Sequence, residues 1–319
     1  MPPSNGTQVA VTTTYEQAVQ AVERLMVDVV DSQVQVLRNA SRHILEAGGK
    51  RIRPRMLLLS YLACGGKNLN YAIPVAAAIE LVHTASVVHD DINDHGVVRR
   101  GRPSVNAIWG RTFALLTGDY LFTKVYELMA PYKDLNIVFA DAAVALVEGE
   151  TLQAAAVKDG NFSRQVYYDI IARKTAALFK AATKLGAMLA NADEHSVEAL
   201  GQYGFNIGLA FQIVDDILDL VGDEAKLGKT AGIDLSQGKG FASAYGTGNL
   251  VVTEPVAERA KNPVDIFKQK MMEGDTLSKA QEQAAQLMLL ANSSLDTLPN
   301  SPQREELRQL ARLVVDREY

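Results

Sequence analysis

The sequence predicts an all-α fold built as one helical bundle, and three observations predict it. Apolar residues recur at spacings of three and four along most of the chain, the period of a helix with one buried face. The same stretches are rich in alanine, the strongest helix former. Alternating β-branched runs bounded by turn residues, the mark of strands, are almost absent.

The first periodic stretch runs from Tyr15 to Leu45, with Ala18, Val22, Leu25, Met26, Val29, Val30, Val36, Leu37 and Ile44 on the helical spacing. Helical segments follow at Met56–Cys64, Ala72–Asp91, Thr112–Ala130, Val138–Ala156, Arg164–Leu189, Ser196–Leu220 and Leu277–Leu290, with a last one from about Gln303 to Asp316. Short glycine-containing loops separate them: Gly48-Gly49, Gly65-Gly66, Gly96 to Pro103, Lys158 to Gly160, and Gly222 to Gly240. Residues 242–263 mix Gly, Thr, Val and Pro and show no clear period. No composition break marks a linker, so 15–319 reads as one domain behind a polar, flexible lead over 1–14.

The chain has 319 residues, of which 48% are apolar, enough for a sizeable core. Lys and Arg number 32 against 37 Asp and Glu, a net charge of −5 that argues against nucleic-acid binding through a generally basic surface. It does not argue against phosphorylated substrates, which local Lys and Arg clusters hold. Cys64 is the only cysteine, so no intrachain disulfide can form and a reducing, cytoplasmic setting fits. The N-terminus lacks a basic-then-apolar signal pattern, and no uninterrupted apolar run approaches the ~20 residues of a membrane span. Any lipid product would meet the membrane by peripheral contact.

Two aspartate clusters carry the chemistry. The first is His89-Asp90-Asp91-Ile92-Asn93-Asp94, and the second is Asp215-Asp216-Ile217-Leu218-Asp219. In each, the third Asp lies four residues after the first and three after the second, so all three share one helix face. Each ends an apolar segment just before a glycine. There the helix dipole is negative and neighbouring carboxylates repel, so the arrangement calls for a cation. Carboxylate oxygens suit hard ions, and magnesium commonly takes one or two carboxylates together with water and substrate phosphate. A single such cluster is most often a solvated helix end; two of them, each flanked by Gly and basic residues, favour metal-diphosphate chemistry.

Basic groups stand nearby in sequence. Lys50 and Arg53 precede a helix expected to begin near Pro54, beside its positive pole. Arg99-Arg100-Gly101-Arg102 follows the first cluster closely, and guanidinium forks bind phosphate oxygens bidentately. His83 lies seven residues before Asp90, on the same helix face. Lys174, Lys229 and Lys239 taken singly read as surface lysines. There is no Walker-type phosphate loop and no zinc-like Cys/His spacing.

With these blocks in view, the sequence resembles the trans-polyprenyl diphosphate synthases, in particular the long-chain type. The likeness runs from about Lys50 to Lys239 through GGKRIRP (48–54), ELVHTASVVHDDIND (80–94), RRGRPS (99–104), GDYLF (118–122), EGETLQ (148–153), RKTAALF (173–179), FQIVDDILD (211–219) and LGKTAGIDL (227–235). The resemblance implies helices around a deep central cavity and a homodimer. It implies magnesium on Asp90, Asp91 and Asp94, with Asp215, Asp216 and Asp219 opposite. It assigns Arg99, Lys174, Lys229 and Lys239 to an allylic diphosphate, with Thr175 and Gln212 lining the reacting centre. Lys50, Arg53, His83 and Arg100 would hold isopentenyl diphosphate. The implied reaction ionises the allylic diphosphate, adds isopentenyl diphosphate and loses a proton.

In that family a bulky aromatic four or five residues before the first Asp stops elongation early. Here those residues are Ser86 and Ala85, with Val82 a turn deeper, and Phe122 is a candidate for a lower floor. The expected product is therefore longer than farnesyl diphosphate, in the hexaprenyl to nonaprenyl range, with geranylgeranyl diphosphate as the alternative. After Lys239 the sequence GFASAYGTGNLVV departs from many relatives, which makes Lys239 a weaker match than Lys174. A terpene cyclase is the nearest enzymatic rival, but cyclases usually lack a second DDxxD and an isopentenyl diphosphate site. A noncatalytic regulatory subunit is the rival of another class, and such subunits tend to lose one Asp cluster.

Overall fold

Thr14 opens the first helix. Its hydroxyl accepts from the Gln17 N–H at 3.3 Å and the Gln17 side chain accepts from the Thr14 N–H at 2.9 Å, a capping box that sets the start of α1 (Tyr15–Val29). The computed structural model describes residues 13–161, 163–221 and 275–315, and there the chain is an all-helical bundle apart from one short hairpin. Residues 222–274, which include Lys229, Lys239 and the 242–263 segment, lie outside the described residues.

The periodicity that reads as continuous from Tyr15 to Leu45 is broken: α1 stops at Val29 and α2 spans Gln35–Glu46. Between them the Ser32 hydroxyl accepts from the Val34 N–H at 3.1 Å, a local bond that competes with the helix ladder. α3 (Ile52–Ala63) begins two residues before Pro54, which is its third residue rather than its first. Proline is still tolerated there, because N–H groups of the first turn have no partner within the helix. Arg51 precedes α3 with a left-handed φ of 50°. Three bonds hold its guanidinium: Glu23 and Glu80, each at 3.2 Å, and the Leu45 carbonyl at 3.0 Å.

α4 (Leu69–Asn93) is the spine of the core, with Val75 to Ile79, Leu81 and Val82 fully buried. By length and composition it could cross a membrane, yet 78% of its most apolar window is buried inside the fold. It is a core helix. β1 (Val98–Arg99) and β2 (Arg102–Pro103) pair antiparallel, with Arg99 opposite Arg102. Arg100 and Gly101 make the turn, both at positive φ, as a tight two-residue hairpin requires. α5 (Val105–Trp109) and α6 (Arg111–Met129) follow. α6 runs antiparallel to α4: Tyr132, just past its end, donates to the Tyr71 carbonyl at 2.8 Å, while Gly118 near its start lies against the His89 ring.

α7 (Leu135–Asp159) leads to α8 (Arg164–Ile171). The helix expected from Arg164 to Leu189 is interrupted by a π-turn at Ala172–Ala176 before α9 (Ala177–Leu189). Two helices press their backbones onto this turn. A Cβ at Gly149 of α7 would come within 2.5 Å of the Lys174 amide nitrogen, and one at Gly208 within 2.6 Å of the Ala176 Cα. Only glycine permits either approach. Gly208 belongs to α10 (Glu194–Val221), which carries the second aspartate cluster in its last turns. α11 (Thr276–Asp296) packs along α10, and α12 (Pro302–Val315) is tied in by the buried Tyr203, whose hydroxyl donates to the Leu307 carbonyl at 2.7 Å.

Candidate active site

The first cluster closes α4. Asp90 and Asp91 occupy its last turn and Asp94 caps it, its N–H donating to the Asp90 carbonyl at 2.8 Å. Asp91 is 1% exposed. One of its oxygens, Oδ1, accepts two bonds from Arg99, at 2.9 Å from Nε and 2.6 Å from Nη2. Its Oδ2 is also buried and has no hydrogen-bond partner among the described residues. Burial pushes the Asp91 carboxyl up, and the pull of Arg99 does not reverse it. Arg99, expected on the allylic diphosphate, is thus engaged by a carboxylate of the motif itself.

The π-turn joins the two clusters. Lys174 Nζ lies 3.5 Å from Asp90 Oδ2, and it donates to Glu150 Oε2 at 2.9 Å and to Gln153 Oε1 at 3.0 Å. Burial works against this ammonium, but Asp90 and Glu150 outweigh it and its pKa is raised. Glu150 is itself pushed up, by burial first and then by Asp90. The next residue reaches the other cluster: Thr175 Oγ1 donates to Gln212 Oε1 at 2.7 Å, and Gln212 Nε2 donates to Asp216 Oδ1 at 2.9 Å. The second oxygen of Asp216, Oδ2, accepts from the Tyr167 hydroxyl at 2.6 Å. Asp216 and Asp219 are buried, and Asp215 is half-buried. A π-turn, with its i→i+5 bonds, puts an extra residue into one turn of a helix and is frequent at functional sites. Here adjacent residues address facing motifs.

A basic pocket lies beside the first cluster. Arg53 is buried, its guanidinium 4.5 Å over the Phe179 ring, and its Nε has no hydrogen-bond partner among the described residues. The Arg100 guanidinium lies against Gly49, where a Cβ would come within 2.8 Å of Nη1. His83 sits among these groups: burial, then Arg53, Arg100, Arg99 and Arg51, hold its imidazole well below the usual range. Burial likewise lowers Arg53 to about 10, against the countercharge of Glu80. Lys50 is exposed on the same loop. Cationic groups held this close to one another, in a partly buried pocket, are stabilised by a polyanion.

Val82 and Ala85 are fully buried on α4, and the Ser86 hydroxyl donates to the His83 carbonyl at 2.9 Å. The Phe122 ring packs on His89 at 6.1 Å between centroids. Three residues of the site had no role in the sequence: Glu150, Gln153 and Tyr167. Glu150 and Gln153 stand within EGETLQ, three apart on one helix face, which is the signal that could have found them. Tyr167 offers no such signal, since its bond crosses from α8 to α10.

Among the described residues, no three His, Cys, Asp or Glu side chains converge into a metal cage. The donor set fits a hard cation: carboxylates at two helix ends, one with a buried oxygen that has no hydrogen-bond partner among the described residues, and the Lys174 ammonium beside Asp90.

Comparison with known proteins agrees with this chemistry. The polyprenyl synthetase family model matches residues 34–245. An all-trans-nonaprenyl-diphosphate synthase (geranyl-diphosphate specific) of Rhodobacter capsulatus is 34% identical, covering 93% of this chain and 94% of that one. A short chain isoprenyl diphosphate synthase of Methanothermobacter thermautotrophicus is 37% identical, covering 94% and 96%. The crystal structure of a polyprenyl synthase from Caulobacter crescentus, complexed with calcium and isoprenyl diphosphate, superposes with a TM-score of 0.85 at 34% identity, covering 95% of each chain.

Proposed function

Since this chain belongs to the polyprenyl synthetase family and is a prenyltransferase that condenses isopentenyl diphosphate with an allylic diphosphate, we propose that it makes all-trans products longer than farnesyl diphosphate, in the hexaprenyl to nonaprenyl range, with magnesium as its cation. A divalent cation is part of the family's chemistry, as the calcium-bound relative indicates. The observation that carries the reading is the π-turn, whose neighbours Lys174 and Thr175 reach Asp90 and the Gln212–Asp216 pair.

Asp90, Asp91 and Asp94 on one side, and Asp215, Asp216 and Asp219 on the other, would hold the magnesium, which supplies Lewis-acid stabilisation to the departing diphosphate. Lys174 adds a fixed positive charge where negative charge builds up, with Arg99 beside it. Lys229 and Lys239 are proposed to complete this set. Lys50, Arg53, His83 and Arg100 form the pocket for isopentenyl diphosphate, and Thr175 and Gln212 border the reacting centre. The apolar surroundings keep water from quenching the allylic cation. No protein base is required, because the departing diphosphate can take the proton.

Small side chains at Ala85 and Ser86 support a long product, since neither puts a ring on the path of a growing chain. Geranylgeranyl diphosphate is the second reading, favoured by the identity to a short-chain enzyme. A homodimer fits the apolar residues that α6 and α7 leave exposed, among them Leu116, Tyr126, Ile137, Val144 and Val147. The reading includes a cytoplasmic site of action with peripheral membrane contact on product release.

Release of inorganic diphosphate tests the reaction. Purified protein given isopentenyl diphosphate, an allylic primer and magnesium should release it, and chelation should stop the release. No release with any primer would contradict the proposal and favour a regulatory subunit.

A further inference from the structure

We infer that Tyr167 is a positioning residue that orients Asp216 for its cation, an inference that rests on the magnesium-diphosphate reading above. Tyr167 is 5% exposed on α8, and its ring packs in an apolar cluster with Ile171, Ala176, Ile213 and Ile217. Its hydroxyl leaves that cluster to meet Asp216 Oδ2 at 2.6 Å, the short distance of a hydroxyl bonded to a charged oxygen.

Two neutral donors meet Asp216 on different oxygens. Tyr167 takes one oxygen and Gln212 the other, and Gln212 is held in turn by Thr175. A carboxylate offers about four lone-pair sites, so one hydrogen bond does not exhaust either oxygen. Both donors are neutral. They hold the carboxylate by hydrogen bonds that carry no countercharge of their own. The first cluster is built differently, with Asp91 held on one oxygen by the cationic Arg99. Removing the Tyr167 hydroxyl takes away the bond to Oδ2, loosens the orientation of Asp216 and leaves the apolar packing in place. Partners that orient a metal ligand in this way commonly contribute about 10–100-fold to metal affinity.

The test is a magnesium titration in the presence of inorganic diphosphate, read by thermal unfolding of the full chain, for the parent protein, Tyr167→Phe and Tyr203→Phe. Tyr203 is the control, because it is fully buried and also loses one phenol bond, to the Leu307 carbonyl, remote from the aspartates. Tyr167→Phe should raise the magnesium midpoint about tenfold or more. Tyr203→Phe should lower the melting temperature and leave the midpoint where it was. Gln212→Leu, which removes the other donor, gives an independent variant with the same expected direction if Tyr167→Phe does not fold. An unchanged midpoint in Tyr167→Phe, or an equal shift in Tyr203→Phe, overturns the inference. A parent protein that does not respond to magnesium with diphosphate removes the functional reading, and this inference with it.

Discussion

Lys174 Nζ stands 3.5 Å from Asp90 Oδ2 while it donates to Glu150 and Gln153, so one ammonium ties α4, α7 and the π-turn together. That single charge offsets two carboxylates whose burial would otherwise be costly. Lys174→Ala should therefore destabilise the fold as well as slow the reaction. Breaking a buried pair by removing one partner costs about 3–5 kcal/mol, and the partial exposure of this one puts it at the lower end. Urea unfolding should register the loss alongside a fall in turnover of a hundredfold or more, on the order seen when a transition-state charge stabiliser is removed. Unaltered stability would mean that Glu150 finds another partner.

Gly149→Ala tests how the π-turn is placed. A Cβ there would come within 2.5 Å of the Lys174 nitrogen and 2.9 Å of its Cα, both backbone atoms that cannot swing aside. Overpacking of this kind costs about 1–3 kcal/mol. The expected variant folds with a lower melting temperature and a turnover reduced more than its KM for isopentenyl diphosphate is raised, because Lys174 moves while the arginine pocket does not.

His83 makes stability depend on pH. Burial and the surrounding arginines hold its folded pKa well below the ordinary value, so the unfolded chain takes up the proton first as pH falls. Stability from this group is fully present above about pH 6.5 and declines below it, by at most about 1.4 kcal/mol per pH unit. Unfolding measured at several pH values between 7 and 5 should show a shallower acid-side decline in His83→Gln than in the parent. Parallel declines would show that His83 takes up its proton equally in both states.

Ala85→Phe addresses product length. Ala85 is fully buried one turn before His89, on the helix that carries the first aspartates. A ring at that position should shorten the product by several isoprene units while diphosphate release continues. An unchanged product would remove Ala85 from the chain-length determinants.

The helices and both aspartate clusters were legible in the sequence because each depends on near neighbours. Apolar spacing marks a buried face, and an i, i+1, i+4 set of carboxylates shares a helix face wherever the helix sits. The break after Val29 was hidden because Val30, Val36 and Leu37 keep the spacing across it, while Ser32 ends the helix by one local bond. The π-turn was hidden for the opposite reason. Ala172–Ala176 reads as ordinary helix, and the turn appears beside glycines of two distant helices. The meeting of Arg53, His83 and Arg100 follows from the hairpin at Arg99–Arg102, whose two-residue turn the motif RRGRP carries but whose strands are too short to show a period.

Product length tests the central claim most directly. Purified protein with magnesium, radiolabelled isopentenyl diphosphate and farnesyl diphosphate should yield, after dephosphorylation, a ladder that ends in one prenyl alcohol between hexaprenol and nonaprenol. A ladder that stops at geranylgeraniol, or no labelled alcohol at all, would contradict the account.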